Sequence, residues 1–222
     1  MLSAVERAAE LQPGLWSWEA HHPAYRRDVT SVLVESADDV VLVDPLAPRN
    51  GEGSPFWRAL DGAAEAGKRL TIAVTVPDHA RSMPALAARY PAATVHAAVP
   101  PRQRSLAGVP VEQLEDGTTL PGGIIAFAAG RDDERAIWIA PHGALVVGDA
   151  MLGTDDDGLA VCPADWLPTG VTRAAVAAAF ARLLDLDIRH VVPAHGAAPS
   201  DPAAAFAAAV AEARSPDPER AR

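Results

Sequence analysis

Short apolar runs separated by polar turns dominate the first third of the chain. Residues 15–18 form one such run after the Pro13-Gly14 turn, and the polar stretch HHPAYRRD interrupts it. Val29-Thr30-Ser31-Val32-Leu33-Val34-Glu35 then alternates in part, as a half-buried strand does. Ala37-Asp38-Asp39 reads as a tight turn, and residues 40–43 as a continuous apolar strand that ends at Asp44-Pro45. These segments predict an antiparallel meander.

The pattern then changes. Residues 54–67 read as a helix, with Ser54 as N-cap candidate and Pro55 at its first position. Residues 69–76 hold few polar side chains and predict a buried strand, followed by the loop Pro77-Asp78-His79. A helix over 83–90 and a strand over 93–97 complete an α/β unit. A second strand-rich section covers 111–114, 124–129, 136–139 and 144–147, with turns at Asp116-Gly117, Pro121-Gly122-Gly123 and Pro141-His142-Gly143. A polar loop over 148–168 leads to a helix over 172–184 with Thr172 as N-cap. The strand 188–192, the loop Pro193-Ala194-His195-Gly196 and an Ala-rich helix over 201–213 follow, and residues 214–222 read as a frayed tail. The order is sheet, α/β unit, sheet, α/β unit. It predicts one α/β domain over 1–222 built of two similar halves, roughly 14–110 and 111–200.

Composition narrows the function. The 222 residues are 49% hydrophobic, enough for one sizeable core. A net charge of −10 argues against a general nucleic-acid binder and says little about a small-molecule substrate or ligand, which is the expected partner on other grounds. No apolar stretch approaches the ~18 residues of a membrane span. The start, with acids among its apolar residues, lacks the build of a signal peptide. Cys162 is the single cysteine, so no intramolecular disulfide forms and packing must supply the stability. A cytoplasmic location is the expectation from these features.

Candidate chemistry sits at three strand ends. Asp78 and His79 follow the strand ending at Val76, Asp149 follows Leu145-Val146-Val147-Gly148, and His195 follows Val191-Val192-Pro193. Side chains at the C-terminal ends of strands converge on a shared crevice in α/β architecture. Two imidazoles and two carboxylates there suit a divalent transition metal, zinc first, with manganese or iron as alternatives. Other histidines have plainer readings: His21 and His22 as solvated loop residues or loans to the site, His142 as a turn residue, His96 and His190 as strand residues. Trp16, Trp18 and Trp166 flank loops near the crevice, and Asp155-Asp156-Asp157-Gly158 reads as a solvated turn because it lacks the spacing of a calcium loop.

The order strand-Asp44, TVPDHARS, LVVGDA, VVPAHG resembles the metallo-β-lactamase superfamily over roughly residues 14–199. The resemblance implies a four-layer αββα sandwich and, with a metal, hydrolysis of an ester, lactone, amide or thioester. It also implies departures. Aligned on Asp78 and His79, the first two histidines of the superfamily's H-x-H-x-D-H motif fall on Val74 and Val76, and the next ligand histidine falls on Arg131. Valine cannot ligate and arginine repels a cation, so the three histidines of the first metal are gone. Those matching the second metal remain: Asp78, His79 and His195, with Asp149 beside them.

Three readings follow. The first is a hydrolase with at most one metal on Asp78, His79, Asp149 and His195; Asp78 or Asp149 orients water and Arg131 holds an anionic substrate group or pairs with Asp149. The second is a metal-free pseudoenzyme of the same fold that binds a small molecule or partner, its pocket lined by Arg131 and tryptophans. The third is a structural or homo-oligomer-forming protein in which Arg131 closes the crevice with Asp149 or Asp78.

Overall fold

The computed structural model of the chain describes residues 2, 5, 7–48, 51, 53–99 and 105–214. The first sheet opens with four antiparallel strands, β1 (Ala8–Gln12), β2 (Leu15–His22), β3 (Arg27–Glu35) and β4 (Asp39–Val43). Helix α1 (Pro55–Glu65) crosses over to β5 (Arg69–Val74), and α2 (Met83–Arg89) to β6 (Thr94–Ala97). Both crossovers leave β4, β5 and β6 parallel, as helical connections do. A small hairpin, β7 (Ser105–Leu106) and β8 (Val109–Pro110), precedes β9 (Glu112–Gln113), which adds in parallel to β6 and completes a 7-stranded sheet.

The second sheet contains β10 (Thr119–Leu120), β11 (Ile124–Ala128), β12 (Arg135–Ile139) and β13 (Ala144–Val146), all antiparallel. After the hairpin β14 (Met151–Gly153) and β15 (Leu159–Val161), helix α3 (Arg173–Ala181) leads to β16 (His190–Val192), which joins β13 in parallel. Helix α4 (Pro202–Arg214) closes the described chain. Residues 215–222 of the expected tail lie outside the described residues, while Arg214 ends α4.

Three apolar layers stack these parts in the order αββα. The period of 2 along a strand sends alternate residues to opposite faces. Val32, Val34, Val41 and Val43 therefore meet Ile124, Ala126, Ile137 and Ile139 of the second sheet. Their neighbours Leu33, Leu42 and Ile72 turn outward onto Phe56, Leu60, Met83 and Leu86 of α1 and α2. On the far side, Trp138, Leu145 and Val191 pack against Val176 and Phe180 of α3 and Phe206 and Val210 of α4. The expected α/β sandwich is the observed one. Thr172 caps α3 as expected, its side chain accepting the Ala175 N–H. No helix among the described residues is long and apolar enough to cross a membrane.

Three segments differ from expectation. AAELQ pairs with β2 as an edge strand, and the stretch read as a loop, HHPAYRRD, is mostly the outer end of the long β2–β3 hairpin. The polar segment 148–168 contains the β14–β15 hairpin and a turn of 3-10 helix at Ala164–Trp166.

Candidate metal centre

The layers bring the ends of β4, β5, β13 and β16 to one rim. Asp44 follows β4 with a positive φ of 49°, a conformation that aspartate tolerates better than most residues, and its side chain turns into the protein. Its carboxylate accepts the Thr75 N–H at 2.8 Å and the Thr75 hydroxyl at 2.5 Å. The same carboxylate lies 2.8 Å from His79 Nδ1. His79 is carried by a 3-10 turn, Pro77–Ala80, that starts where β5 ends, and it is 2% exposed. Arg81 closes the turn at φ 41° and donates from Nη1 to the carbonyls of Thr30 and Asp44, tying the turn to β3 and β4.

Asp149 and His195 arrive from the second sheet. Gly148 precedes Asp149 at φ 55°, and a Cβ there would collide with the Glu134 carboxylate, so only glycine fits. Glu134 is fully buried; its Oε1 accepts the Ala150 N–H at 2.7 Å and its Oε2 lies 3.1 Å from Arg131 Nη1. This bond holds the Gly148-Asp149-Ala150 turn. The His195 loop is held by Thr30 N–H donating to Ala194 O at 3.0 Å and by Gly153 N–H donating to His195 O at 2.9 Å. Asp149 Oδ1 is 3.1 Å from His79 Nε2 and 3.2 Å from His195 Nε2. His195 Nδ1 faces the Asp28 carbonyl at 3.4 Å.

Charge follows from this geometry. Burial opposes a charged His79, but Asp44 and the bond to Asp149 outweigh it and push its pKa up to about 9. Burial would raise Asp44, yet the His79 charge and hydrogen bond hold it below the carboxylate range. Asp149 is likewise held well below that range, burial being outweighed by the hydrogen bonds to His195 and His79. At neutral pH the metal-free His79 is therefore an imidazolium that donates one proton to Asp44 and one to Asp149. Burial pushes Glu134 up to about 8 despite Arg131.

Ligand atoms of His79, Asp149 and His195 all lie within 4.8 Å of one another. They form the floor of a cleft of about 170 Å³ whose walls are Tyr25, Arg27, Asp78 and Trp166. This donor set fits a zinc-like ion. Both imidazoles present Nε2 to one centre while their Nδ1 atoms face oxygen acceptors, which is how metal-ligating histidines are oriented. The open cleft side leaves room for a fourth partner.

Of the expected site residues, His79, Asp149 and His195 are brought together. Asp78 lines the cleft but is exposed, and its carboxylate is not among the converging ligand atoms. Arg131 is not at the cleft: its Nε lies 3.2 Å from Asp133, its Nη1 pairs with Glu134, and it closes nothing with Asp149 or Asp78. Trp166 does line the cleft, whereas Trp16 and Trp18 are core residues. His21 pairs with Asp28 and His22 stacks on Tyr25 at 4.3 Å; neither lines the cleft. His142 lies in a 3-10 turn as expected, and Cys162 is buried with its thiol pushed up to about 11 by burial. Sequence reasoning assigned no site role to Asp44, Thr75, Arg81, Glu134, Tyr25 or Arg27. Only Asp44, a lone acid closing an apolar strand, carried a visible signal.

No family model matches the sequence, and a comparison with curated proteins gives no match. Solved structures do. DIM-1 metallo-β-lactamase superposes with a TM-score of 0.66 over 97% of this chain and 98% of its own, at 14% identity. The chain has the metallo-β-lactamase fold. FIM-1 from Pseudomonas aeruginosa, in its mono-zinc form, gives a TM-score of 0.62 at 13% identity over 94% of this chain and 96% of its own. A metallo-β-lactamase family protein from Thermus thermophilus gives 0.59 at 20% identity, over 91% of this chain and 80% of its own. Within the metallo-β-lactamase fold, the site described above lies where the two sheets meet at the ends of their strands.

Proposed function

We propose that this chain is a mononuclear metal-dependent hydrolase that cleaves an acyl bond (ester, lactone, amide or thioester) in a small molecule. One observation carries the reading: three ligand atoms from two sheets converge at the floor of an open cleft, with the outer nitrogen of each imidazole already facing an oxygen. His79, Asp149 and His195 would hold one zinc ion, manganese or iron being the alternatives. FIM-1, a neighbour in fold, is described in a mono-zinc form, which is consistent with a one-metal site in this architecture.

A divalent ion held there supplies Lewis acidity toward a carbonyl and acidifies water. The protein groups do the rest. Asp44 holds the proton on His79 Nδ1, which keeps Nε2 free as a donor to the ion once its own proton has left. The Asp28 carbonyl does the same for His195. Asp78, which lines the cleft wall outside the ligand group, would orient the attacking water and take its proton. Tyr25, whose phenol is held protonated by burial and by Asp78, reaches the Asp78 carbonyl at 3.5 Å and steadies that wall. Arg131 with Glu134 positions the Asp149 turn and does not line the cleft.

The test is a hydrolysis screen with simple aryl esters, thioesters and lactones. Activity that is lost on chelation, restored by zinc and abolished in His195→Ala and Asp149→Asn supports the reading. Hydrolysis that survives chelation and both substitutions contradicts it.

A further inference from the structure

The mouth of the cleft carries a cation with no counter-ion among the described residues. Arg27 opens β3 and lines the cleft, and its guanidinium lies 5.2 Å from the centre of the Trp166 ring. The acid next to it in sequence, Asp28, is engaged elsewhere, 2.7 Å from Arg7 and 3.0 Å from His21. Among the described residues no carboxylate pairs with Arg27. Its place over the Trp166 ring holds the charge at the cleft, and the exposed guanidinium keeps N–H donors for an anion.

Trp166 links this cation to the reaction centre. Its ring stands edge-on to the His195 ring, 6.3 Å away, so one indole separates guanidinium from ligand. Trp166 at 36% exposure and Tyr25 at 48% are large aromatics left open to solvent, and both face this cleft. Isolated exposed apolar residues need no explanation, but two that line the same cleft offer apolar surface to a flat group. At about 170 Å³ the cleft is below the roughly 300–1,000 Å³ of pockets that enclose a drug-sized molecule. It takes the reacting head of a substrate, and the remainder must lie across the aromatic rim toward Arg27. Of the cleft acids, Asp149 is hydrogen-bonded to both histidines, which balances its charge within the site, and Asp78 meets Tyr25 only through its backbone carbonyl.

We propose that Arg27 and Trp166 form a substrate-recognition subsite for an anionic group, and that the substrate is a small acyl compound with a flat apolar portion and a carboxylate beyond it. The proposal rests on the reading of the cleft as a hydrolase site, and its test is kept separate from activity. The probes are phenylacetate and its uncharged counterpart phenylacetamide. Binding is followed through the indole N–H resonance of Trp166, assigned with Trp166→Phe, on the protein as purified and after chelation. Phenylacetate is expected to bind more tightly than the amide in both states. Arg27→Gln should weaken phenylacetate about fivefold, the size of an exposed charge-assisted pair, and leave the amide within about twofold. Added salt should weaken the acid alone. Equal weakening of acid and amide in Arg27→Gln overturns the proposal, as does no weakening at all. Acid binding that vanishes on chelation and ignores Arg27→Gln also overturns it, because the metal would then be holding the carboxylate. Metal content and hydrolysis report on the underlying hydrolase reading independently of these titrations.

Discussion

Asp44→Asn is the most informative single substitution because it keeps shape and removes one charge from a fully buried network. The carboxylate takes the Thr75 N–H on Oδ1, and the Thr75 hydroxyl and the His79 imidazole on Oδ2. An amide has only one acceptor oxygen. Turned one way, its NH2 meets the Thr75 N–H; turned the other, it meets the hydroxyl and the imidazole N–H. The first leaves one donor unsatisfied and the second two, at about 1–3 kcal/mol each, and a charge-assisted bond worth about 1.5–3 kcal/mol is lost. Partial relief comes from rotation of the Thr75 hydroxyl, so the expected loss is about 3 kcal/mol. Urea unfolding of the chelated protein at pH 7 measures it, and the same variant should bind zinc about 10–100-fold more weakly because His79 loses its orienting acid. A loss below about 1 kcal/mol with unchanged zinc affinity would refute the network account.

Four further outcomes are expected. In metal-free protein, His79 titrates near 9 when folded and near its ordinary value when unfolded; its contribution is fully present below pH 6.5, is lost as pH rises through about 9, and amounts to about 3 kcal/mol, so unfolding midpoints should fall across that window and fall less in Asp44→Asn. Glu134 is raised to about 8, so the folded chain holds an extra proton between the two pKa values and stability declines as pH rises from 4.5 to 8. Glu134→Gln should remove that decline, so the variant gains stability relative to the parent as pH rises from 4.5 to 8, whereas Glu134→Ala, which strips the Ala150 N–H of its acceptor, should cost about 2–4 kcal/mol in urea unfolding at pH 4.5, where the acid of the folded parent is neutral. Gly148→Ala forces a Cβ into the Glu134 carboxylate at a positive φ and should cost more than about 1 kcal/mol while lowering zinc affinity. Thr172→Ala removes the α3 cap for about 1 kcal/mol and should leave metal content unchanged, which makes it the control.

The sandwich was legible because its strands alternate or run apolar and its helices begin at Pro55 and Thr172. The edge strand Ala8–Gln12 was not, since Ala, Glu, Leu and Gln are helix formers and only pairing with Trp16, Ser17 and Trp18 makes AAELQ extended. The far end of the β2–β3 hairpin was missed because His21, His22, Arg27 and Asp28 have no buried face to impose alternation. Strand-end position picked out His79, Asp149 and His195, which the fold brings together, and also Asp78, which stays outside the group. Their supports lay beyond reach of spacing: Asp44 meets His79 across 35 residues, through the parallel register of β4 and β5. Glu134 sits in the charged run Arg131-Asp132-Asp133-Glu134-Arg135, which reads as solvent-facing, yet its side chain is the one turned fully inward. Arg131 was placed at the crevice by alignment of motifs, and Glu134, unseen as its partner, holds it away.

The central claim is that His79, Asp149 and His195 hold one metal ion. Elemental analysis of untagged protein, purified without chelator and then reconstituted with zinc, tests it most directly. The account predicts about one zinc per chain, released by chelation and absent from His79→Ala and His195→Ala. Two ions per chain, or none after reconstitution of folded protein, would contradict it.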